Sequence, residues 1–555
     1  MHFKVKILTV LLLFIALGNW RCVNQSASTG IAYLNAAVWT GNPQQPMAEA
    51  LYIKDGLLVD VGTTEAISSL TGPEDQIIDV EGAFITPGFI DSHVHFITGG
   101  FRLASVQLRD ANTPTLFTER IAEFAQSIKP GEWIRGGDWD HELWGGELPT
   151  RAWIDAVSPD NPVWVSRLDG HMALANTKAL ELAGVTSETE QVFGGTIVQD
   201  NNGEPTGIFK DNAMDLVFEV MPSDTESQED RALAAAMKYV NAQGVTSVHH
   251  VGTFDQLDAF ERARDANRLT TRIYAAVHLG AWQQLQDHIA LEGPGDTWLK
   301  TGGLKGFVDG SLGSHTAAFF EPFTDAPADS GFFVATEETL YDLVSNSDKA
   351  LLQPMIHAIG DRAINTILNI YERVQTENGA RDRRFRIEHA QHIAPADIER
   401  FTQLGVIASM QPYHAIDDGR WAERVIGPER IKTTYAFKSL LDAGTHVAFG
   451  SDWFVAPPTP LEGIYAAVTR RTLDDINPQG WVPQQKITVE QALRAYTMGA
   501  AYASFEEDIK GSLEAGKLAD FVVIDQNLLE IPSEKIRDAR VLKTVVGGAP
   551  VFSLE

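Results

Sequence analysis

The two ends of the chain alternate apolar and polar residues with a period of two. These strand-like segments span 32–41, 50–62, 76–82, 519–527 and 541–552. Alternation of this kind between Gly, Asn and Asp turns predicts half-buried β-strands. Neither end is long enough to bury a core alone, so we expect residues 30–85 and 505–555 to pair in one small composite β-sandwich.

Between the ends, short apolar strands alternate with helical stretches. The strand-like segments lie at 244–252, 271–280, 302–311, 351–361, 385–393, 404–412 and 445–453. Helical candidates such as 230–242 and 363–375 lie between them. Repeated β-then-α units predict a parallel sheet that closes into a barrel. The predicted fold class is therefore α/β, with a (β/α)8 TIM-type barrel over residues 86–504.

One long segment interrupts this pattern. Residues from about 101 to 229 are too many for a single loop between a strand and its helix. The segment contains a helix-like stretch at 115–128 and a Trp-rich stretch at 132–146. We expect it to form an inserted cap over the mouth of the barrel.

Residues 1–28 have the pattern of an export signal. Lys4 and Lys6 precede the apolar run 7–17, which suits the hydrophobic region of a signal peptide and is short for a spanning helix. We expect a periplasmic or secreted protein, with a membrane tether through the N-terminus as the alternative. Cys22 is the only cysteine, so no intrachain disulfide can form.

Charge composition narrows the class of partner. The 555 residues include 44 Lys and Arg against 74 Asp and Glu, which gives a net charge of −30. This excess of negative charge opposes binding to nucleic acid or to an anionic membrane surface. We expect a small-molecule substrate and no membrane-spanning segment after signal removal, and a homo-oligomer is compatible with the composition.

Residues 86–96, TPGFIDSHVHF, place two histidines two positions apart on a predicted strand. Residues i and i+2 of a strand project to the same face, so His93 and His95 can reach one ion. Neutral imidazole is a common ligand for zinc and neighbouring transition metals. Taken alone, the pair is equally compatible with two structural histidines.

Further residues of ligand type follow at the ends of later predicted strands. They are Lys305, His357, His389 and Asp452. Each has a structural alternative, such as a core histidine or a helix N-cap, and His392 competes with His389 but is expected to face solvent or cap a helix. Because the carboxyl ends of barrel strands meet at one mouth, the set predicts a site for one or two divalent ions, with zinc the first choice.

Lys305 needs a separate explanation, since a buried unpaired ammonium is costly and cannot bind a metal. A carbamate formed with carbon dioxide would remove the charge and could bridge two ions. The alternative is an amine that pairs with Asp309. Asp452 could act both as a ligand and as the base that passes a proton to the leaving group.

Taken together, these motifs resemble the amidohydrolase superfamily. The resemblance is carried by TPGFIDSHVHF, the Lys305 strand, His357, His389, FGSDW at 449–453 and KGSLEAGKLADFVVID at 510–525. Segments 148–180, 306–317 and 356–363 resemble its YtcJ-like branch, amidohydrolase family 3, which includes N-substituted formamide deformylases.

The resemblance implies a metal-dependent hydrolase that acts on C–N bonds other than peptide bonds. The metal ligands it implies are His93, His95, His357, His389 and Asp452, with Lys305 as the bridging carbamate lysine. We expect a metal-activated hydroxide to cleave an amide or N-formyl amine, with Asp452 as the proton shuttle. The alternatives are an ester, lactone or cyclic-amide hydrolase with the same site, and a degenerate protein that binds ligand without catalysis.

Weaker candidates concern the substrate. His171, in the predicted cap, could polarise the substrate carbonyl or bind its amide. Trp139 and Trp144 could line an apolar pocket or belong to the cap core. We assign substrate contacts to His171, Trp144 and Gln411.

Three other histidines lie near the predicted strand ends. His414 follows Gln411, and both could face the mouth. His249 and His250 end another strand, where one could face the cavity, but neither is expected to be a ligand.

Overall fold

The computed structural model describes residues 29–554. The predicted export signal and Cys22 lie outside the described residues, so export stays a prediction. Within 29–554 no helix combines the length and the apolar character needed to cross a membrane.

Eight parallel strands form the central barrel, in chain order around the sheet. They are Phe89–Val94, Val245–Val251, Arg272–His278, Leu299–Phe307, Gln353–Ala358, Arg386–His389, Ile407–Met410 and Val447–Phe449. Each strand pairs in parallel with the next. The predicted α/β barrel is confirmed.

The barrel closes at its mouth through the segment that follows the eighth strand. Val94 forms a parallel bridge with Trp453, and the Asp452 N–H donates to the His93 carbonyl at 2.8 Å. Closure therefore brings the first and last predicted metal ligands side by side.

Helices cover the outside of the barrel. They are Phe96–Arg102, Glu226–Ala242, Phe254–Asp265, Trp282–Glu292, Glu337–Lys349, Asp361–Asn378, Ile398–Gln403, Pro412–Asp418, Ala422–Arg430, Phe437–Asp442, Pro460–Thr469, Val489–Tyr496 and Met498–Ala503. Asp361–Asn378 shows the driving pattern: Ile364, Ile367, Leu368 and Tyr371 recur at helical spacing and are buried. Such a stripe packs one helix face onto the sheet.

The insertion after the first barrel strand folds around a sheet of its own, which the sequence analysis did not anticipate. Its six strands are, in sheet order, Gly195–Gln199, Pro205–Asp211, Met172–Ala175, Val163–Arg167, Ile134–Trp139 and Val106–Gln107. Helices Pro114–Ser127, Arg151–Ile154, Thr177–Ala183 and Asp215–Phe218 flank it. Trp164 and Val165 belong to two separate apolar clusters, because successive strand residues face opposite sides.

The two chain ends form a pair of packed sheets beside the barrel. One sheet contains Leu57–Gly62, Ala50–Lys54, Ile31–Leu34 and Gln76–Asp79, and helix Thr64–Leu70 packs against it. The other contains Ala549–Ser553, Val541–Val546, Phe521–Ile524, Phe84–Pro87, Ala37–Trp39 and Met47–Ala48. Tyr33 and Phe521 meet edge to face at 4.9 Å in the shared core. Phe84–Pro87 leads directly into the first barrel strand and so fixes where the barrel begins.

Candidate metal centre

The six predicted ligands all lie at or just beyond the carboxyl ends of barrel strands. His93 lies at the end of the first strand and His95 just beyond it; Lys305, His357 and His389 lie within the last three residues of strands four, five and six, and Asp452 follows strand eight. Five of the six are buried, and the His95 side chain is 29% exposed. The carboxyl end of a parallel barrel is where catalytic groups of this fold collect.

The innermost cluster combines ligands from the ends of the first and the last strand of the barrel. Asp452 Oδ1 lies 3.5 Å from His93 Nε2 and 3.4 Å from His95 Nε2. Ligands at 2.0–2.1 Å from one tetrahedral zinc ion are separated by about 3.3 Å. His93, His95 and Asp452 therefore have the spacing of a three-ligand divalent site.

A second cluster shares the same aspartate. Donor atoms of His389, His414 and Asp452 all lie within 4.8 Å of one another, and His389 Nδ1 is 3.8 Å from Asp452 Oδ2. The ring of His357 is 4.5 Å from that of His389. His357 Nε2 donates to the Gly310 carbonyl at 2.9 Å, which leaves Nδ1 as its unprotonated nitrogen.

The residues that orient His93 were not predicted from the sequence. Glu388 Oε2 accepts from His93 Nδ1 at 2.5 Å, and Arg386 donates to both oxygens of this carboxylate. A carboxylate on the outer nitrogen fixes the tautomer and rotation of a metal-binding histidine. The available signal was two charged residues, two apart, in the otherwise apolar strand FRIEH.

The protonation states favour metal binding. Burial, reinforced by the charge of Lys305, lowers the pKa of His93 to about 4 despite Glu388. Burial alone would raise the pKa of Asp452, but His95, His93 and His389 hold it well below its usual range. His93 is therefore neutral and Asp452 ionised near neutral pH, as ligands need to be.

Asp91 fixes the loop that carries Asp452 through hydrogen bonds to the neighbouring Ser451. Asp91 accepts hydrogen bonds from the Ser451 N–H at 2.8 Å and the Ser451 hydroxyl at 2.5 Å. A Cβ at Gly450 would lie 2.6 Å from the His93 nitrogen, so only glycine permits this approach. Burial raises the pKa of Asp91 to about 7.

Lys305 points to the same centre as an amine that forms no ion pair with an acidic residue among residues 29–554. Its Nζ lies 3.1 Å from His93 Nε2, and burial lowers its pKa to about 8 although Glu388 and Asp452 oppose the shift. Within residues 29–554 Lys305 makes no ion pair with Asp309. That carboxylate instead accepts three backbone N–H groups, from Ala318, Ile359 and Gly360.

A pocket between barrel and cap opens onto the cluster. From the barrel it is lined by His357, His389 and Asp452, and from the cap by Arg167, Asp169 and His171. Asp418, at the end of helix Pro412–Asp418, and Trp421, just before helix Ala422–Arg430, also line it. The inserted cap therefore closes the site and supplies part of its wall.

His171 lies where the sequence analysis placed it, facing the centre from the cap. Its ring is 4.8 Å from that of His357, and Nδ1 contacts Asp211 Oδ1 at 2.6 Å. Burial lowers the pKa of His171, but Asp211 and Asp169 outweigh that effect, so its pKa is raised. A protonated His171 can donate a hydrogen bond to a substrate oxygen.

The other two residues predicted to contact substrate, Gln411 and Trp144, do not line the pocket. Gln411 lies behind His389 and its Oε1 is 2.9 Å from His389 Nδ1, so it orients a predicted ligand. Trp144 packs with Phe117 and Trp153 in the cap core, as does the fully buried Trp139. Both tryptophans therefore belong to the cap core, which was the alternative to a role in the substrate pocket. The cap buries these rings against its own helices.

The remaining histidines have structural partners. His249 Nδ1 accepts from Arg386 at 3.0 Å, and His250 Nδ1 accepts from the Phe96 N–H at 3.1 Å. The expectation that His392 faces solvent or caps a helix was wrong: it is 2% exposed and contacts Thr434 Oγ1 at 2.9 Å. An antiparallel bridge to Thr434 holds it inward, where its ring lies 5.4 Å from that of Phe319.

The donor set fits a divalent ion. Asp452 Oδ1 and His414 Nε2 are buried and have no hydrogen-bond partner among residues 29–554. Buried polar atoms are normally paired, and coordination of an ion would satisfy both. Imidazole and carboxylate donors suit zinc and its transition-metal neighbours.

An imidazole and carboxylate cluster at the mouth of a (β/α)8 barrel is the arrangement of a metal-dependent hydrolase. The sequence profile of the amidohydrolase family matches residues 76–552. The chain therefore belongs to the amidohydrolase family, and the predicted resemblance is confirmed.

Several proteins are similar over most of the chain. Protein LONG AFTER FAR-RED 3 of Arabidopsis thaliana is 41% identical, with 93% of this chain and 91% of that protein covered. The amidohydrolase YtcJ of Bacillus subtilis is 31% identical (93% and 99%), and an N-substituted formamide deformylase of Arthrobacter pascens is 29% identical (93% and 97%). A crystal structure of a metal-dependent hydrolase from Pyrococcus horikoshii is 28% identical, with a TM-score of 0.75 and coverage of 91% and 99%.

Proposed function

We propose that the protein hydrolyses the C–N bond of an amide or N-formyl amine. The observation that carries this proposal is the position of the buried Asp452 carboxylate, which lies between two histidine clusters on the floor of the cap-covered pocket. The similarity to an N-substituted formamide deformylase supports the choice of bond.

In this proposal six residues hold one or two divalent ions, with zinc the first choice. They are His93, His95, Lys305 as a carbamate, His357, His389 and Asp452. A bound ion would polarise the substrate carbonyl and lower the pKa of a water molecule. Glu388 and Gln411 orient His93 and His389 from behind.

Asp452 moves the proton in the proposed reaction. Its carboxylate takes a proton from the attacking water as the new C–O bond forms. The same oxygen then gives that proton to the amine nitrogen as the C–N bond breaks, so the residue returns to its ionised state. General acid–base transfer of this kind contributes about 10²–10⁴-fold to a rate.

His171 completes the proposed site from the cap. His171, held by Asp211, donates a hydrogen bond to the substrate oxygen as negative charge develops there. Export through the segment 1–28 is part of the proposal, on its charge and apolar pattern alone.

A substrate panel on the purified protein tests this function. N-formyl amines, anilides, esters, lactones and cyclic amides would be compared before chelation, after chelation and after zinc is restored. We expect zinc-restored hydrolysis of an N-formyl amine or amide. Activity on esters or lactones alone would favour the alternative bond class, and no metal-dependent hydrolysis would favour a binding protein.

The Asp452→Asn variant is the control for contaminating hydrolases. We expect it to fold with wild-type circular dichroism and to lose turnover by at least about 10²-fold. Turnover near the wild-type rate would contradict the assigned shuttle.

A further inference from the structure

We propose that His414 is a ligand of an outer metal ion that it shares with His389 and Asp452. The sequence pattern assigns ligands to the ends of strands one, four, five, six and eight, whereas His414 follows strand seven. The inference rests on the metal-dependent function proposed above and adds a coordinating residue to it.

The local fold places His414 over His389. Gln411 precedes helix Pro412–Asp418 at the N-cap position, and Pro412 occupies the first helical position, where its fixed φ favours the helix start. Residues three apart on such a turn lie on the same side. Gln411 and His414 therefore both face His389, whose ring is nearly parallel to that of His414, at 11° and 6.5 Å between centroids.

The two histidines present nitrogens that no other described residue uses. His414 Nε2 is buried without a hydrogen-bond partner among residues 29–554. His389 Nδ1 donates to Gln411 Oε1 at 2.9 Å, which leaves Nε2 unprotonated. In a metal-binding histidine, one ring nitrogen usually donates a hydrogen bond to an oxygen acceptor, and the other ring nitrogen is left free to bind the ion.

Asp452 divides its two oxygens between the clusters. Oδ1 lies 3.5 Å from His93 Nε2 and 3.4 Å from His95 Nε2, and Oδ2 lies 3.8 Å from the Nδ1 side of the His389 ring. Oδ1 therefore faces an inner ion, and Oδ2 faces an outer ion and is the oxygen available for the proposed proton transfer. Donor atoms of His389, His414 and Asp452 all lie within 4.8 Å of one another, as ligands of that outer ion must.

Metal titration of the full chain tests the inference without reference to activity. Metal-free wild type, His414→Gln, His389→Gln and the control His315→Gln would be titrated with Zn²⁺ against a chromophoric chelator. His315 is half-buried, pairs with Asp325 and does not line the pocket. Circular dichroism would verify folding, and Co²⁺ absorption spectra would report the ligand field.

We expect the wild type and the control to bind two equivalents. His414→Gln should keep one equivalent and weaken the other by about 100-fold or more, since changes to groups behind a ligand already cost about 10–100-fold. His389→Gln should weaken the same equivalent. The Co²⁺ spectrum should change for that ion alone.

Two equivalents bound with unchanged affinity by His414→Gln would overturn the inference, as would a single equivalent in the wild type. Neither outcome would contradict the proposed hydrolysis, because the substrate panel tests that function separately. Anomalous diffraction from zinc-loaded wild-type crystals provides a test that needs no variant. An outer ion about 2.1 Å from His414 Nε2 supports the inference, and one beyond about 3 Å overturns it.

Discussion

Glu388 Oε2 lies 2.5 Å from His93 Nδ1, and the same carboxylate is held by the guanidinium of Arg386. All three side chains are fully buried. Glu388 therefore has two roles, because it orients a predicted metal ligand and compensates a buried positive charge.

Glu388→Gln should impair both roles. Without the carboxylate, the tautomer of His93 is less well fixed, and we expect zinc affinity to fall by about 10–100-fold. Arg386 also keeps a buried charge without its partner, which costs about 3–5 kcal/mol of stability. Zinc titration measures the first effect and denaturant unfolding of the metal-free protein the second.

A double variant separates these effects. Arg386→Met with Glu388→Gln removes the uncompensated charge, so much of the lost stability should return while zinc affinity stays low. Recovery of zinc affinity in the double variant would show that Glu388 acts on the metal only through stability.

The barrel and the predicted ligands could be read from the sequence because their signals are local. A β-then-α alternation sets the strand ends, and His93, His357, His389 and Asp452 lie directly at those ends. The parallel barrel then brings residues distant in sequence to one mouth.

The sequence predicts that the cap exists, but its internal sheet and its contacts could not be predicted in this way. Its strands, such as Val163–Arg167 and Met172–Ala175, are short and lie between helices and turns, so periodicity gave little signal. The burial of Trp144 and the position of His171 over His357 depend on how that sheet packs. These are long-range relationships, and no local spacing encodes them.

Lys305 is predicted to carry a carbamate when the metal is bound. Burial lowers the pKa of Lys305 to about 8, which increases the neutral fraction of its amine near neutral pH, and this form can attack carbon dioxide with release of a proton. Wild type loaded with zinc and ¹³C-bicarbonate should show a carbamate carbon resonance that Lys305→Gln lacks.

Lys300→Gln provides the matched control for the carbamate. Lys300 lies on the same strand, at its amino end, and its Nζ donates to the Ser504 carbonyl. Its variant should keep the resonance and the metal content. The carbamate would be ruled out if zinc-loaded wild type gave the same spectrum as Lys305→Gln.

Asp418 should make stability fall as pH rises through the acidic range. Burial raises the pKa of Asp418 to about 7, and the charges of Asp140 and Asp169 add to the shift although Tyr435 and Arg167 oppose it. An unfolded aspartate has a pKa of about 3.9. Between these values the folded protein keeps a proton that the unfolded chain releases, so the contribution of Asp418 to the free energy of unfolding declines from about pH 4 to pH 7.

Asp418→Asn removes this titration. The variant should lose less stability than the wild type between about pH 4.5 and pH 7.5, as measured by thermal unfolding at matched ionic strength. The same change at the exposed Asp538 should leave the wild-type profile unchanged. Parallel profiles for wild type and Asp418→Asn would contradict the assignment.

Alanine variants of Trp421 and Trp144 should have different effects, the first on substrate binding and the second on the free energy of unfolding. Trp421 lines the pocket, so Trp421→Ala removes apolar surface that a substrate would contact. We expect KM to rise by about 10-fold, which corresponds to about 1.4 kcal/mol of lost binding, with little change in unfolding.

Trp144→Ala should give the opposite result, because Trp144 packs on Phe117 and Trp153 in the cap core. Truncation of a fully buried tryptophan costs about 3–5 kcal/mol, and for this half-buried ring we expect about 2 kcal/mol with KM unchanged. Steady-state kinetics and denaturant unfolding of both variants decide the matter. A raised KM in Trp144→Ala without a loss of stability would contradict the core role and support the substrate contact predicted from the sequence.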